Sequence, residues 1–196
     1  MIEAHQISSG QFSWKDRKVL VTGGAGFVGS YLVEDLLAQG AKIRVADNLS
    51  TGDIKNLESV WKRIEFLETD LRDGLSVESA IREASVVVHL AARAGVRPSL
   101  EQPELYTSIN TLGTTTLLES CRRVGLRRVV FAGEHFPPDL ITCLYELLPD
   151  VRIFNIYGQS ESIACSFTLL PRPLPPELRH LPVGRGHPDV EMTLID

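Results

Sequence analysis

Three glycines at three-residue intervals, Gly23, Gly26 and Gly29, stand between a short apolar run and a stretch whose apolar residues recur every three or four positions. That spacing suits a phosphate-binding turn. The first glycine permits the tight turn, the middle one lets a pyrophosphate approach the backbone, and the third lets a helix pack closely on a strand. A helix starting there offers unpaired N–H groups and the positive end of its dipole to the phosphates. Asp47 follows 18 residues after Gly29. A carboxylate at that place, at the end of the next strand, can accept hydrogen bonds from both ribose hydroxyls of an adenosine. It would repel a 2′-phosphate, and no arginine directly follows it, so the chemistry implied is the binding of NAD in preference to NADP.

These residues need a frame, and the sequence supplies one. In KVLVTGGAGFVGSYLVEDLLAQG a strand (Val19 to Thr22) leads through the glycine turn into a helix that stops at Gly40, and KIRVAD follows as a second strand. The alternation continues with IEFLETD as a strand, SVESAIREA as a helix, SVVVHLAA as a strand, PELYTSINTLGTTTLLESCRRVG as a long helix and RRVVFAG as a fifth strand. Near-continuous Val and Leu runs suit strands buried on both faces of a parallel sheet. The expected fold class is α/β, a doubly wound, Rossmann-like parallel sheet with a C-terminal α/β extension.

The chain has 196 residues, enough for one core or one core with an appendage. With 43% apolar and 23% charged residues it reads as globular, and no apolar run approaches the roughly 20 residues that a membrane helix needs. The N-terminus lacks the apolar core and cleavage site of a secretory signal, which gives a cytoplasmic expectation. A net charge of −5 argues against nucleic-acid binding. Cys121, Cys143 and Cys165 are odd in number and without C-x-x-C spacing, and the five histidines show no ligand spacing, so neither a disulfide framework nor a metal site is expected.

Residues 18 to 132 resemble the N-terminal half of the extended short-chain dehydrogenase/reductase family, the NAD-dependent nucleotide-sugar epimerases and dehydratases. The stretches TGGAGFVGS, ADNLSTG, HLAARAGVRPSLEQPELY and INTLGTTTLLES followed by RRVVFA carry the likeness. The resemblance implies NAD as cofactor and a nucleotide sugar as a weaker candidate partner. It puts Phe27 and Val28 in the pyrophosphate turn beside Gly26 and Gly29, and Asp47 and Asn48 at the adenosine ribose. Thr51 and Gly52 would line the next loop. Asp70 and Leu71 would flank the adenine, with Asp70 accepting from its amino group. Leu90, Ala91 and Ala92 would wall the nicotinamide-side ribose, with Asn110 supporting that loop. The plainer alternatives are that Asp70 caps a turn, Asn110 satisfies helix backbone groups and His89 is a packed strand residue.

In that family the fifth strand leads to a Ser/Thr-rich segment and a Tyr-x-x-x-Lys pair, whose lysine lowers the pKa of the proton-transferring tyrosine. In this chain Gly133, Glu134 and His135 follow the strand. Asp35, Asn110, Pro149 and Glu161 stand four residues after Tyr31, Tyr106, Tyr145 and Tyr157, and no lysine lies beyond Lys62. No catalytic residue is therefore assigned.

Composition shifts at Gly133: nine of the 11 prolines lie beyond it. The expected division is residues 1–132 as a truncated NAD-binding domain and residues 133–196 as a second segment. GEHFPPDLITCLYELLPDVRIFNIYGQSESIACSF and PVGRGHPDVEMTLID resemble an internal part of the adenylation domains of peptide synthetases and other adenylate-forming enzymes. That likeness implies Tyr157 stacked on adenine, Ser160 near phosphate and Glu161 near magnesium, although the phosphate loop and catalytic lysine of that family have no match. A helix from about Pro138 to Leu148 and a sixth parallel strand, VRIFNIYG, are expected, with ACSFTLL and EMTLID as candidate edge strands. PRPLPPEL reads as a surface connection. Three functions are thus in view: an NAD-binding half-enzyme with little or no turnover, an NAD-responsive module, and a contributor to adenylate formation.

Overall fold

The computed structural model describes residues 13–126, 128–132, 138–147, 152–159, 162–182 and 185–186. The glycine turn is entered from strand β1 (Lys18–Thr22) and left through helix α1 (Phe27–Ala38), which Gly40 ends at φ +85° before strand β2 (Lys42–Asp47). A 3-10 helix (Ile54–Arg63) leads to β3 (Ile64–Glu68), then α2 (Gly74–Ile81) to β4 (Val86–His89). Next come α3 (Val96–Glu101) and a longer helical run in three parts: α4 (Pro103–Tyr106), a π segment (Thr107–Gly113) and α5 (Thr114–Arg123). The remaining elements are β5 (Arg128–Ala132), α6 (Pro138–Leu147), β6 (Arg152–Gln159), β7 (Ser162–Leu169) and the two-residue β8 (Arg185–Gly186).

The strands form one sheet in the order β3-β2-β1-β4-β5-β6-β7-β8. All neighbours from β3 to β6 are parallel, and β7 and β8 add on antiparallel. The expected sixth parallel strand therefore lies beside the fifth. Residues of ACSFTLL, expected as an edge strand, instead lie in β7, which β6 flanks on one side and the two-residue β8 on the other, while EMTLID lies outside the described residues.

Alternate residues of the strands feed two different cores, as a pleat of period two requires. Val19, Val21, Ile43, Val45, Val86 and Val88 pack with Val33, Leu36 and Leu37 of α1 and with Leu57 and Val60 of the 3-10 helix. Leu20, Ala46 and Val87 face the other side, with Val77 and Ile81 of α2, Leu117 of α5, and Ile141 and Leu144 of α6. Helices thus cover both faces of the sheet, which is why its central strands β1 and β4 carry the unbroken apolar stretches VLV and VVV, whereas β2 and β3 on the outer side admit Arg44 and Glu65.

Three elements depart from the sequence expectation. The 3-10 helix has no counterpart there, because only Leu57 and Val60, three apart, are buried, while Ile54 and Trp61 are exposed and the rest is polar; Asp53 caps it by accepting from the Lys55 amide. Helix α3 occupies a stretch without apolar periodicity, and none of its residues is buried. The long helix expected over 103–125 begins at Pro103 and ends at Arg123, but widens to π geometry in the middle.

Candidate functional site

A doubly wound sheet opens a crevice where its strand order reverses, outside the carboxyl ends of the strands. In this chain that point lies between β1 and β4. A cavity of about 110 Å³ sits there, lined by residues that follow four strands: Gly23 and Gly26 after β1, Asn48 and Ser50 to Gly52 after β2, Thr69 to Arg72 after β3, and Leu90 to Arg93 after β4.

The glycine turn is tight enough to exclude other residues. Gly23 has φ +72°, and a Cβ on it would stand 2.7 Å from the Ala91 amide nitrogen. A Cβ on Gly29 would fall 2.1 Å from the Gly23 carbonyl oxygen. At Gly26 the added carbon would meet Gly23 O at 3.2 Å, on a residue that itself lines the cavity. The first amides of α1, at Phe27, Val28 and Gly29, lack acceptors within the helix by geometry. Phe27 and Val28 are exposed, and neither side chain lines the cavity.

Asp47 is buried, and its carboxylate ties two loops together by accepting from the Ala25 amide (3.0 Å) and the Leu49 amide (2.9 Å) while lining the cavity. Asn48 Oδ1 accepts from the Ser50 amide at 3.1 Å. Gly52 packs on Ala25, where a Cβ would come within 3.0 Å. Asp70 accepts from the Arg72 amide and from its guanidinium, and that guanidinium hydrogen bond is the main reason its carboxyl is held down at about 2. The carboxylate therefore stays ionised, stabilising a turn and facing the cavity at once. Leu71 is buried against Gly113.

Leu90, Ala91 and Ala92 form one wall. Asn110 holds the next residue at both of its backbone groups: its Oδ1 accepts from the Arg93 amide (2.8 Å) and its Nδ2 donates to the Arg93 carbonyl (3.0 Å). Asn110 lies within the π segment. His89 lies between the hydroxyls of Thr22 and Thr114, and burial pushes its imidazole down to about 4, so it is neutral at physiological pH. Sequence reasoning does not single out Arg72, Arg93, Thr69, Ser50 and Ile109 as lining residues, nor the threonines beside His89. A threonine ending β1 directly across from His89 is the available signal for the latter.

Among the described residues no tyrosine or lysine lines the cavity. Tyr106 donates to the Ala94 carbonyl at 2.8 Å, Tyr145 donates to the Leu170 carbonyl at 3.1 Å, and Tyr31 packs edge-on against Phe27. Ser160 and Glu161 lie outside the described residues, as does the Tyr157 side chain. No group of three or more His, Cys, Asp or Glu able to hold a metal occurs among the described residues, and no helix there is long and apolar enough to cross a membrane.

A family model described as GDP-mannose 4,6 dehydratase matches residues 20–133. UDP-glucose 4-epimerase 2 of Arabidopsis thaliana is 38% identical over 157 residues, covering 74% of this chain and 44% of that protein. The UDP-glucose 4-epimerase of Thermus thermophilus, solved in complex with NAD, is 50% identical with a TM-score of 0.56, over 59% of this chain and 37% of that one. The Thermotoga maritima UDP-glucose 4-epimerase, solved with UDP-glucose, is 26% identical with a TM-score of 0.61, over 72% and 56%. The chain spans less than half the length of the curated relatives it matches.

Proposed function

The chain belongs to the extended short-chain dehydrogenase/reductase family of NAD-dependent epimerases and dehydratases, and from that premise we propose that it binds NAD in the cleft at the β1–β4 switch point. The observation that carries the reading is the convergence of the Gly23–Gly29 turn, Asp47 and the Leu90–Ala92 wall on one cavity at that point. Gly23 and Gly29 keep the turn tight, since any side chain on them would strike backbone, and Gly26, which lines the cavity without a side chain, leaves room for a pyrophosphate to approach the main chain. NAD supplies a hydride acceptor when bound. The chain's own residues bind and orient it: α1 amides at the phosphates, Asp47 and Asn48 at the adenosine ribose, Thr51 and Gly52 beside them, Asp70 and Leu71 at the adenine, and Leu90 to Ala92 with Asn110 on the nicotinamide side.

Turnover is not part of the proposal. Among the described residues Tyr106 and Tyr145 are engaged elsewhere and no tyrosine or lysine lines the cleft, so none of them places a phenol against an ammonium group there to exchange a proton with a sugar hydroxyl. A nucleotide sugar is a weaker candidate ligand, and the setting proposed is the cytoplasm. Titrating NAD while following thermal unfolding tests the reading, because a ligand that binds only the folded state raises the melting temperature by mass action. No rise at millimolar NAD, or a rise unchanged by Asp47→Ala, overturns it. Measurable epimerisation of a nucleotide sugar overturns the lack of turnover.

For residues 133–196 the proposal is a segment of separate origin, akin to adenylation domains, that extends the sheet. The parallel register of β6 on β5, from Arg128 beside Arg152 to Ala132 beside Ile156, supports the structural part of this reading. ATP–pyrophosphate exchange by the chain would instead favour an adenylate-forming role.

A further inference from the structure

The cleft wall is connected to the helix behind it by a run of side chains that the binding residues alone do not explain. At one end Thr22 Oγ1 accepts from the Ala91 amide at 3.3 Å and shares the Leu90 amide, at 3.2 Å, with the Thr22 carbonyl oxygen at 3.1 Å. Thr22 Oγ1 lies 2.7 Å from His89 Nδ1, and His89 Nε2 lies 2.9 Å from Thr114 Oγ1. Thr114 Oγ1 in turn lies 2.6 Å from the carbonyl oxygen of Asn110, whose side chain grips both backbone groups of Arg93.

Proton counting gives this run a direction. A hydroxyl has one proton to donate. The Asn110 carbonyl can only accept, so the Thr114 proton goes to it and Thr114 must accept from His89 Nε2–H. Nδ1 is then bare and accepts the Thr22 proton, which leaves the Thr22 lone pairs for the two wall amides. Every group in the run is satisfied. The opposite tautomer would place Nδ1–H against a Thr22 oxygen that two amides already approach, and the Thr22 proton would have no acceptor among the contacts described. Thr22 is fully buried, so water cannot supply one.

We infer that Thr22, His89 and Thr114 form a one-directional hydrogen-bonded strut, with His89 as the neutral Nε2–H tautomer, and that they act as positioning residues holding Leu90–Arg93 in the shape that receives the cofactor. The strut fixes the wall at Leu90 and Ala91, and Asn110 fixes its far end at Arg93. The fit matters to the phosphate turn as well, because the Ala91 backbone already fills the space where a Gly23 side chain would stand. The role in cofactor binding rests on the NAD reading above; the strut itself does not.

Nitrogen-resolved NMR of the imidazole, assigned by the signal lost in His89→Asn, is expected to show the Nε2–H tautomer; an Nδ1–H imidazole overturns the strut. Thr114→Val keeps the side-chain shape but removes the hydroxyl. It is expected to speed hydrogen exchange at the Ala91 amide, at the other end of the run, by about tenfold, the effect of losing roughly one hydrogen bond's stabilisation. Exchange at Val19 to Val21 should be unchanged and Thr114→Ser should restore protection; unaltered exchange at Ala91 overturns the strut. For the cofactor, Thr22→Val is expected to weaken NAD binding about tenfold and Thr22→Ser to leave it near the original. Equal affinity in all three chains overturns the positioning role. Failure of the unmodified chain to bind NAD would count against the NAD reading, while tautomer and exchange still decide the strut.

Discussion

At the carboxyl ends of β1, β2, β3 and β4 the chain turns into loops that converge on one cavity, whereas the described residues from β5 onward contribute nothing to its lining. Both halves nevertheless draw on the same apolar cluster, in which Val77 and Leu117 pack with Ile141, Ile153 and Leu170. Among the described residues the cavity lining is confined to one half, while the buried cluster is shared between them. A change in the second half should therefore weaken the fold without altering cofactor affinity in the folded fraction, and a change in the first half can do either.

The largest effect is expected at Gly29→Ala. A methyl carbon 2.1 Å from a carbonyl oxygen and 2.7 Å from the Gly24 Cα cannot be relieved by a rotamer change. A loss of more than about 3 kcal/mol in denaturant unfolding is expected, together with loss of the NAD-induced shift. Ile153→Ala, in the other half, removes a side chain that is 1% exposed and should cost about 3 kcal/mol by the same measurement. If it also changes NAD affinity in folded protein, the division between the halves fails.

The His89 pKa, lowered to about 4 from 6.5, gives a pH signature on the cleft side. The unfolded state takes up the proton first, so stability should fall as pH drops from about 6.5 towards 4, by on the order of 3 kcal/mol. His89→Gln should flatten that window in pH-dependent unfolding. The further decline below about 3.8, as the Asp70 carboxylate protonates towards its value of about 2, should remain. Asn110→Ala frees Arg93 from its two hydrogen bonds and should weaken NAD binding about tenfold by calorimetry. Smallest is Tyr145→Phe, which removes a hydroxyl bonded to the Leu170 carbonyl; it should lower stability by about 1 kcal/mol and leave NAD affinity unchanged.

The parts of the fold legible in the sequence are those where one local signal suffices. The Lys42–Asp47 strand is readable residue for residue, because Ile43 and Val45, alternating with Lys42 and Arg44 between Gly40 and Asn48, fit a short strand and are too few for a helix. The glycine spacing and the Asp47 offset likewise point to a crevice without any knowledge of distant contacts. Other features depend on residues far apart in the chain. The π segment occurs where Asn110 grips Arg93, 17 residues away, and nothing in TSINTLG alone announces it. Asp70 reads as facing a ligand, but its strongest interaction is with Arg72, two residues on, in a turn whose geometry no periodicity encodes. Beyond Ala132, the strand–helix–strand pattern is readable in outline, whereas the antiparallel direction of β7 is not, because a run of β-prone residues carries no information on which way its neighbour runs.

The place of β5 in the strand order has a consequence for fraying. Strands β6, β7 and β8 extend the sheet on the side of β5 away from β4, and none of their described residues lines the crevice. Opening that starts at the two-residue β8 must pass three further strands before it reaches β4, so the outermost ladder can exchange its amides with water while the crevice keeps its shape.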